Sequence, residues 1–243
     1  MDLKEMGKLS EEDILSHWYY LTKSRAMMTI LQPYGPFSSV YDIGAGSGVF
    51  SKILISSFSI KDAYCVDSGY SEEKIAPYQK GKIHYMKSCS RINGNLVLFM
   101  DILEHIKKDR AFLKSYIDQC QSGTYIFLTV PAFQFMFSGH DTFLGHFRRY
   151  SKKSLLQVID ECDLILVEYC YLFWLLFPLV VLNRLLNKVL IRWFPNTVKI
   201  KSDAKKHFSF INDCLSKIHQ LDLLFFKKNK WFGLTLVVLA KVK

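Results

Sequence analysis

The 243-residue sequence predicts a doubly wound α/β sheet, and three observations carry that prediction. Short apolar runs at about 39–43, 62–66, 83–87, 95–100 and 124–130 have the length and composition of strands. Helical segments at about 48–58, 72–79 and 109–120 lie between some of them. Strands alternating with helices imply a parallel sheet covered on both faces. Gly44, Asp67, Cys89 and Asp101 all fall at strand ends, where such a sheet opens its binding crevice.

The first element is a helix over 10–32. Ser10 with Glu12 and Asp13 caps its start. Ile14, Leu15, Trp18, Leu21, Arg25, Met28 and Leu31 recur at helical spacing. The first strand then runs into Asp42-Ile43-Gly44-Ala45-Gly46-Ser47-Gly48, and Val49-Phe50-Ser51-Lys52 opens a helix. Glycines permit close approach of the backbone to a ligand, and a helix N-terminus offers free amides. The spacing excludes two phosphate readings. G-x-G-x-x-G fits neither from Gly44, where the third position is Val49, nor from Gly46, where it is Ser51. The phosphate-loop pattern is absent as well. An acid heads the turn, which suits a cationic ligand.

The second strand ends in Val66-Asp67, about 20 residues past the glycines, the place of a carboxylate that holds ribose hydroxyls. The third is followed by Ser88-Cys89-Ser90. The fourth runs through Leu96-Val97-Leu98-Phe99-Met100 into Asp101-Ile102-Leu103-Glu104-His105. Met100 fits either an adenine face or the core.

At these residues the sequence resembles the class I S-adenosylmethionine-dependent methyltransferases. The likeness rests on Val40–Gly48, Val66-Asp67, Leu96–Ile106 and the closing Trp231-Phe232-Gly233-Leu234-Thr235-Leu236-Val237-Val238-Leu239-Ala240, and covers about 15–168 and 230–243. It implies a Rossmann-like seven-stranded sheet with the last strand antiparallel and a helical insertion before it. It implies S-adenosylmethionine as cofactor, with S-adenosylhomocysteine as product. Asp42, Gly44, Ala45, Gly46 and Gly48 would form the cradle, with Asp67 and Ser68 at the ribose. Cys89, Met100, Asp101 and His105 would line the remaining wall. Arg25 on the leading helix is a candidate for the cofactor carboxylate. Members of the family often carry an acid after the third strand, where this chain has Ser88-Cys89-Ser90, and Asp where it has Asn95.

The fifth strand ends at Val130-Pro131-Ala132. The loop Ser138-Gly139-His140-Asp141-Thr142-Phe143-Leu144-Gly145-His146-Phe147-Arg148-Arg149-Tyr150 follows. It resembles a glycine-histidine-x-arginine-arginine-tyrosine signature of bacterial methyltransferases in small-molecule and cell-envelope biosynthesis. Methyl transfer is chiefly a problem of alignment, and an oxygen acceptor also benefits from a base with a pKa near 7. His146 and His140 are the candidate catalytic bases. Arg148, Arg149 and Tyr150 are the candidate substrate-binding residues.

A sixth strand at about 167–173 leads into the uncharged, apolar stretch 169–182, whose 14 residues are too few to span a bilayer as a helix, which takes about 20. Beyond it Arg184, Lys188 and Arg192 alternate with Leu182, Leu185, Leu186, Val189, Leu190 and Trp193, an interfacial pattern extended by Lys199, Lys201, Lys205 and Lys206. The net charge of +10 is concentrated there. Residues 1–182 carry 19 basic and 19 acidic side chains, and residues 183–243 carry 13 basic and 3 acidic. An anionic membrane surface under 171–208 is the expected partner. Nucleic acid is disfavoured, because the aromatics sit in apolar runs apart from the basic residues.

The expected organisation is a helical cap at 1–38, a core at 39–173 and 229–243, and the insertion at 174–228. Six cysteines show no C-x-x-C pair and no zinc spacing, so no metal is expected, and they read as reduced thiols of a cytosolic compartment. The missing C-x-x-x-C-x-x-C spacing makes methyl donation the expected use of the cofactor, not radical chemistry. Met1-Asp2-Leu3-Lys4-Glu5 lacks a signal-peptide profile. The expected reaction is O-methylation of a lipid-linked or glycan-type envelope intermediate at the membrane surface, and the sequence leaves two further readings open. One is a methyltransferase for a soluble small molecule with the insertion as lid. The other is a non-catalytic cofactor-binding interaction protein.

Overall fold

The computed structural model describes residues 17–193 and 209–243. The expected cap at Ser10 and the lysines at 199, 201, 205 and 206 lie outside those residues. The elements are α1 (Trp18–Leu31), β1 (Ser39–Ile43), α2 (Val49–Phe58), β2 (Asp62–Val66), β3 (Lys74–Tyr78), β4 (Gly81–Met86), β5 (Leu96–Met100) and α3 (Asp109–Ile117). They continue with β6 (Tyr125–Pro131), α4 (Gly139–Leu144), α5 (Lys152–Glu161), β7 (Leu164–Leu172), α6 (Phe177–Trp193), α7 (Ser209–Phe225) and β8 (Thr235–Val242).

One eight-stranded sheet has the order β3-β4-β2-β1-β5-β6-β8-β7. β4, β2, β1, β5 and β6 are parallel, and β8 runs antiparallel between β6 and β7. The doubly wound sheet with an antiparallel last strand is therefore present. Strand order reverses between β1 and β5, so the crevice opens there, at the carboxyl ends of the strands.

The strands read as apolar runs because both faces are covered. Val40, Leu96 and Leu98 pack on one side with Met27 and Ile30 of α1 and Leu54 of α2. Tyr41, Ile43, Val97 and Phe99 pack on the other with Leu113 and Ile117 of α3 and Leu155 and Ile159 of α5. α5 is an element the sequence reading did not place. Ser151 starts it by accepting the Ser154 amide at 3.1 Å.

The eighth strand is a correction. The helix expected at 72–79 is instead strand β3, paired antiparallel with β4 at the sheet edge. Pro77 has no amide to donate inside a helix but is tolerated on an edge strand. Gln79, at φ 51°, then turns the chain back.

α6 and α7 lie between β7 and β8. α7 packs on α1: the amide of Trp18 donates to Asn212 Oδ1 at 2.9 Å, and the Trp18 ring stacks on buried His219 at 4.8 Å. Among the described residues, no helix is long and apolar enough to cross a membrane.

Candidate active site

The glycine turn is fixed by β2. The Gly44 amide donates to the Val66 carbonyl at 2.7 Å, and the Gly46 amide donates to Asp67 Oδ2 at 3.0 Å. Asp67 Oδ1 accepts the Gly69 amide at 2.9 Å. Two accepted bonds leave acceptor sites on this carboxylate for hydroxyl groups. Gly44 is required twice over. Its φ is +72°, and an added Cβ would stand 2.1 Å from Ile102 Cδ1. That contact also ties the turn after β1 to the turn after β5.

Beneath the turn sits Asp42, 1% exposed. Ser51 Oγ of α2 donates to its Oδ2 at 3.0 Å, while Oδ1 has no partner among the described residues. Burial pushes this carboxyl up to about 7. Ser47 Oγ, in the turn itself, is also buried without a partner. A turn closed to a side chain at Gly44, with an orphaned carboxylate oxygen beneath it and an orphaned hydroxyl within it, fits a polar ligand bearing positive charge.

The β5 end is built differently. Asp101, at φ +52°, accepts from Thr129 Oγ1 at 3.0 Å and from the Tyr19 hydroxyl at 3.2 Å, and pairs with Lys23 of α1. Burial works against its ionised form, but the Lys23 ammonium outweighs burial and holds the carboxyl below its usual value. One turn on, Glu104 is 1% exposed, and burial, then the Asp101 charge, push it up to about 8. Its Oε2 has no partner among the described residues.

The loop after β6 closes the crevice. Ser138 and Asp141 cap α4 reciprocally. Asp141 is fully buried and gathers the loop around itself. It accepts the Ser138 amide at 2.9 Å and Arg149 Nε at 2.6 Å, it meets His146 Nδ1 at 3.0 Å, and Arg184 of α6 approaches at 3.4 Å. Burial alone would raise its pKa. The His146 bond and the two guanidinium groups prevail and hold it well below the usual carboxylate range. The Phe147 amide donates to the Glu104 carbonyl at 2.7 Å, so this loop is pinned to the turn after β5. His105 and His146 then meet edge to face at 4.5 Å.

No protein-family model and no curated protein matches the chain. Solved structures do. A proposed sarcosine dimethylglycine methyltransferase from Galdieria sulphuraria is 11% identical, with 92% of this chain and 84% of that one covered and a TM-score of 0.51. The complex between the Haloferax volcanii Trm112 methyltransferase activator and a proposed methyltransferase matches at 13% identity, 98% and 92% coverage and a TM-score of 0.54. A Thermotoga maritima S-adenosylmethionine-dependent methyltransferase, with histamine N-methylation its suggested activity, matches at 10%, 93% and 91%, and 0.50. This is the class I methyltransferase fold.

Within that methyltransferase fold, Gly44, Ala45, Gly46, Gly48, Asp67, Asp101 and His105 follow the carboxyl ends of β1, β2 and β5, while His146 follows α4 in the connection from β6 to α5. Met100 is buried in the core layer shared with α1, and the Thr129 hydroxyl reaches its sulfur at 3.9 Å. Ser68 is exposed beside Asp67. Cys89 lies three residues past β4, half-buried, with its thiol 3.6 Å from Gln119 Oε1. His140 occupies the first turn of α4, next to Asp141.

Other expectations shift. Arg25 is exposed on the outer side of α1, in a depression with Ile53, Ser57 and Leu223. The α1 cation that reaches the crevice is Lys23, two residues or about 200° around the helix. The buried side chains of α1 are Tyr20, Thr22, Lys23, Ser24, Ala26, Met27, Ile30 and Leu31, so of the row through Arg25 only Leu31 is buried among the described residues. Arg148, Arg149 and Tyr150, expected on a substrate, are engaged within the protein. Arg149 is 8% exposed and holds Asp141. Arg148 Nη1 and the Tyr150 hydroxyl both bind Asp109 at the start of α3, at 2.6 and 2.7 Å. Sequence reasoning did not single out Lys23 and Glu104 as site residues. A lysine and a tyrosine one turn apart amid apolar neighbours, and a glutamate directly before His105, were the available signals.

Proposed function

We propose that the protein transfers a methyl group from S-adenosylmethionine to an oxygen of its acceptor. The glycine cradle, its amide on Asp67 and the orphaned carboxyl of Asp42 below it support this reading. When bound, S-adenosylmethionine supplies the methyl group from its sulfonium and leaves as S-adenosylhomocysteine. Asp67 is placed to hold ribose hydroxyls, and Asp42 to face a cationic group. His146 is the candidate base. Its Nδ1 is occupied by Asp141, which leaves Nε2 to take the proton that the acceptor hydroxyl loses. Asp141 orients that ring by the same logic as the acid of a catalytic triad.

The acceptor we propose is a hydroxyl on a lipid-linked or glycan-type envelope intermediate, met at the membrane surface. Leu185 and Leu186 of α6 and Leu221, Leu224 and Phe225 of α7 are exposed apolar side chains on the basic quarter of the chain, and Leu179 and Leu182 of α6 are exposed just before it. Such a surface suits an anionic membrane. A second reading has its own observation. Arg184 reaches from α6 to Asp141 and to the Met136 carbonyl, so α6 is latched to the acceptor loop as a lid over a soluble substrate would be.

Calorimetry with S-adenosylhomocysteine tests the first step. Binding is expected for the wild-type chain and a loss of roughly tenfold or more for Asp67→Ala, about 1.4 kcal/mol. No binding by wild type overturns the reading. Incubation with cofactor labelled in the methyl group separates the acceptors. Label entering a lipid extract supports the membrane reading, and label confined to an aqueous extract supports the lid.

A further inference from the structure

We propose that Glu104, His105 and His146 bind a divalent transition-metal ion of the zinc class, with Asp141 anchoring the His146 ring. The three residues offer one ligand atom each, all within 4.8 Å of one another. Ligand atoms lie about 2.0–2.2 Å from zinc. Neighbouring ligands around one ion therefore stand about 3–4 Å apart, so binding would draw the three groups closer together.

Four features make this a built site. Glu104 is 1% exposed and presents Oε2 with no partner among the described residues. A buried acceptor oxygen without a donor is costly and calls for a cation or proton. His146 meets Asp141 through Nδ1, which leaves Nε2 as the nitrogen available to an ion. Carboxylate anchoring of a ligating imidazole is the usual support of a metal site. The two loops that carry the ligands are tied together by the Phe147 amide on the Glu104 carbonyl. The donor set itself, two imidazoles and one carboxylate with no thiolate, suits zinc, cobalt, iron, nickel or manganese better than calcium or magnesium.

Three protein ligands leave an open coordination position, as in catalytic metal sites. The role of that position rests on the methyl-transfer reading. An acceptor hydroxyl bound there would lose its proton to solvent water more readily, because the cation stabilises the oxyanion, and that oxygen would then take the methyl group as the sulfonium carbon–sulfur bond breaks and S-adenosylhomocysteine leaves. His146 would then serve as ligand, and activation of the acceptor would pass to the ion.

The test uses the full chain without a polyhistidine tag, stripped with a chelator and titrated with Co²⁺ under visible absorption, then with Zn²⁺ in competition. We expect one equivalent, cobalt bands of nitrogen and oxygen ligation, and no thiolate charge-transfer band. Glu104→Gln and His146→Gln should each weaken binding by roughly tenfold or more, and Asp141→Asn by about 10–100-fold. His84→Gln, which alters a separate pair with Asp62, should change nothing. The idea is overturned by absence of stoichiometric binding, by a thiolate band, or by undiminished binding in a Glu104→Gln, His105→Gln double variant. The wild-type spectrum decides even where a variant fails to fold. S-adenosylhomocysteine calorimetry on the stripped chain separates the two proposals. Cofactor binding without metal binding sinks only this one, and metal binding without cofactor binding sinks only methyl transfer.

Discussion

The two banks of the crevice hold their acids by different means. On the β1–β2 bank, Asp67 accepts two backbone amides and Asp42 accepts one hydroxyl. On the β5–β6 bank, Asp101 meets Lys23, and Asp141 meets Arg149, Arg184 and His146. The consequence is opposite charge behaviour. Burial lifts Asp42 to about 7, while cations hold Asp101 and Asp141 below the usual range. The first bank is thus shaped by backbone and awaits positive charge from a ligand. On the second, Asp101 and Asp141 are neutralised by the protein's own cations, while Glu104, pushed up to about 8 by burial and the Asp101 charge, keeps an oxygen without a partner among the described residues.

The largest effect should come from removing the acid that holds the second bank. Asp141→Ala leaves Arg149 and Arg184 mostly buried without their carboxylate. Breaking a buried pair from one side costs about 3–5 kcal/mol. We predict a fall in melting temperature of about 10 °C, since about 1 kcal/mol moves a domain of this size by about 2–4 °C. A loss below about 1 kcal/mol would mean that the second bank does not depend on its acid.

A glycine from each bank sharpens the contrast. Gly44 and Gly145 both have positive φ, at 72° and 82°. A Cβ on Gly44 would collide with Ile102, whereas one on Gly145 would meet nothing within 4 Å. Backbone strain costs roughly 1–2 kcal/mol in either case, and overpacking adds about 1–3 at Gly44 alone. Gly44→Ala should therefore destabilise by about 3 kcal/mol and Gly145→Ala by about 1, measured by urea unfolding. Equal losses would mean that the Gly44–Ile102 contact does not tie the banks together.

The same contrast explains what the sequence disclosed. Asp42, Gly44 and Gly46 sit in one short run, and Asp67 lies 21 residues beyond Gly46, so local pattern was enough to place the cradle. The second bank joins partners 78 residues apart at Lys23–Asp101 and 43 apart at Arg184–Asp141. No local period marks such pairs. The motif at Gly145–Tyr150 was visible, yet its arginines looked like ligands because nothing in the sequence showed that Asp141 and Asp109 would take them. Arg25 enters through the family resemblance alone, and no local pattern distinguishes buried Lys23 from it on the same helix. β3 was misread because a single proline decides little until its edge position is known.

The smallest effect concerns the charge of Asp42. Its folded carboxyl titrates near 7, against about 3.9 for an unfolded chain. Between those values the folded state holds a proton that the unfolded state has lost, so stability falls as pH rises through that window and levels off above about 7. The amide introduced by Asp42→Asn would keep an oxygen for the Ser51 hydroxyl and carry no charge to desolvate. We predict that wild type loses about 2 kcal/mol more than Asp42→Asn between pH 5 and pH 7, in denaturant melts at matched ionic strength. A cationic ligand beside Asp42 favours the ionised form. Saturating S-adenosylmethionine should therefore flatten the wild-type curve toward that of the variant. Parallel curves without ligand would place Asp42 already ionised at pH 5. The first bank would then be neutralised from within, as the second is, and the difference between the two would lie in geometry alone.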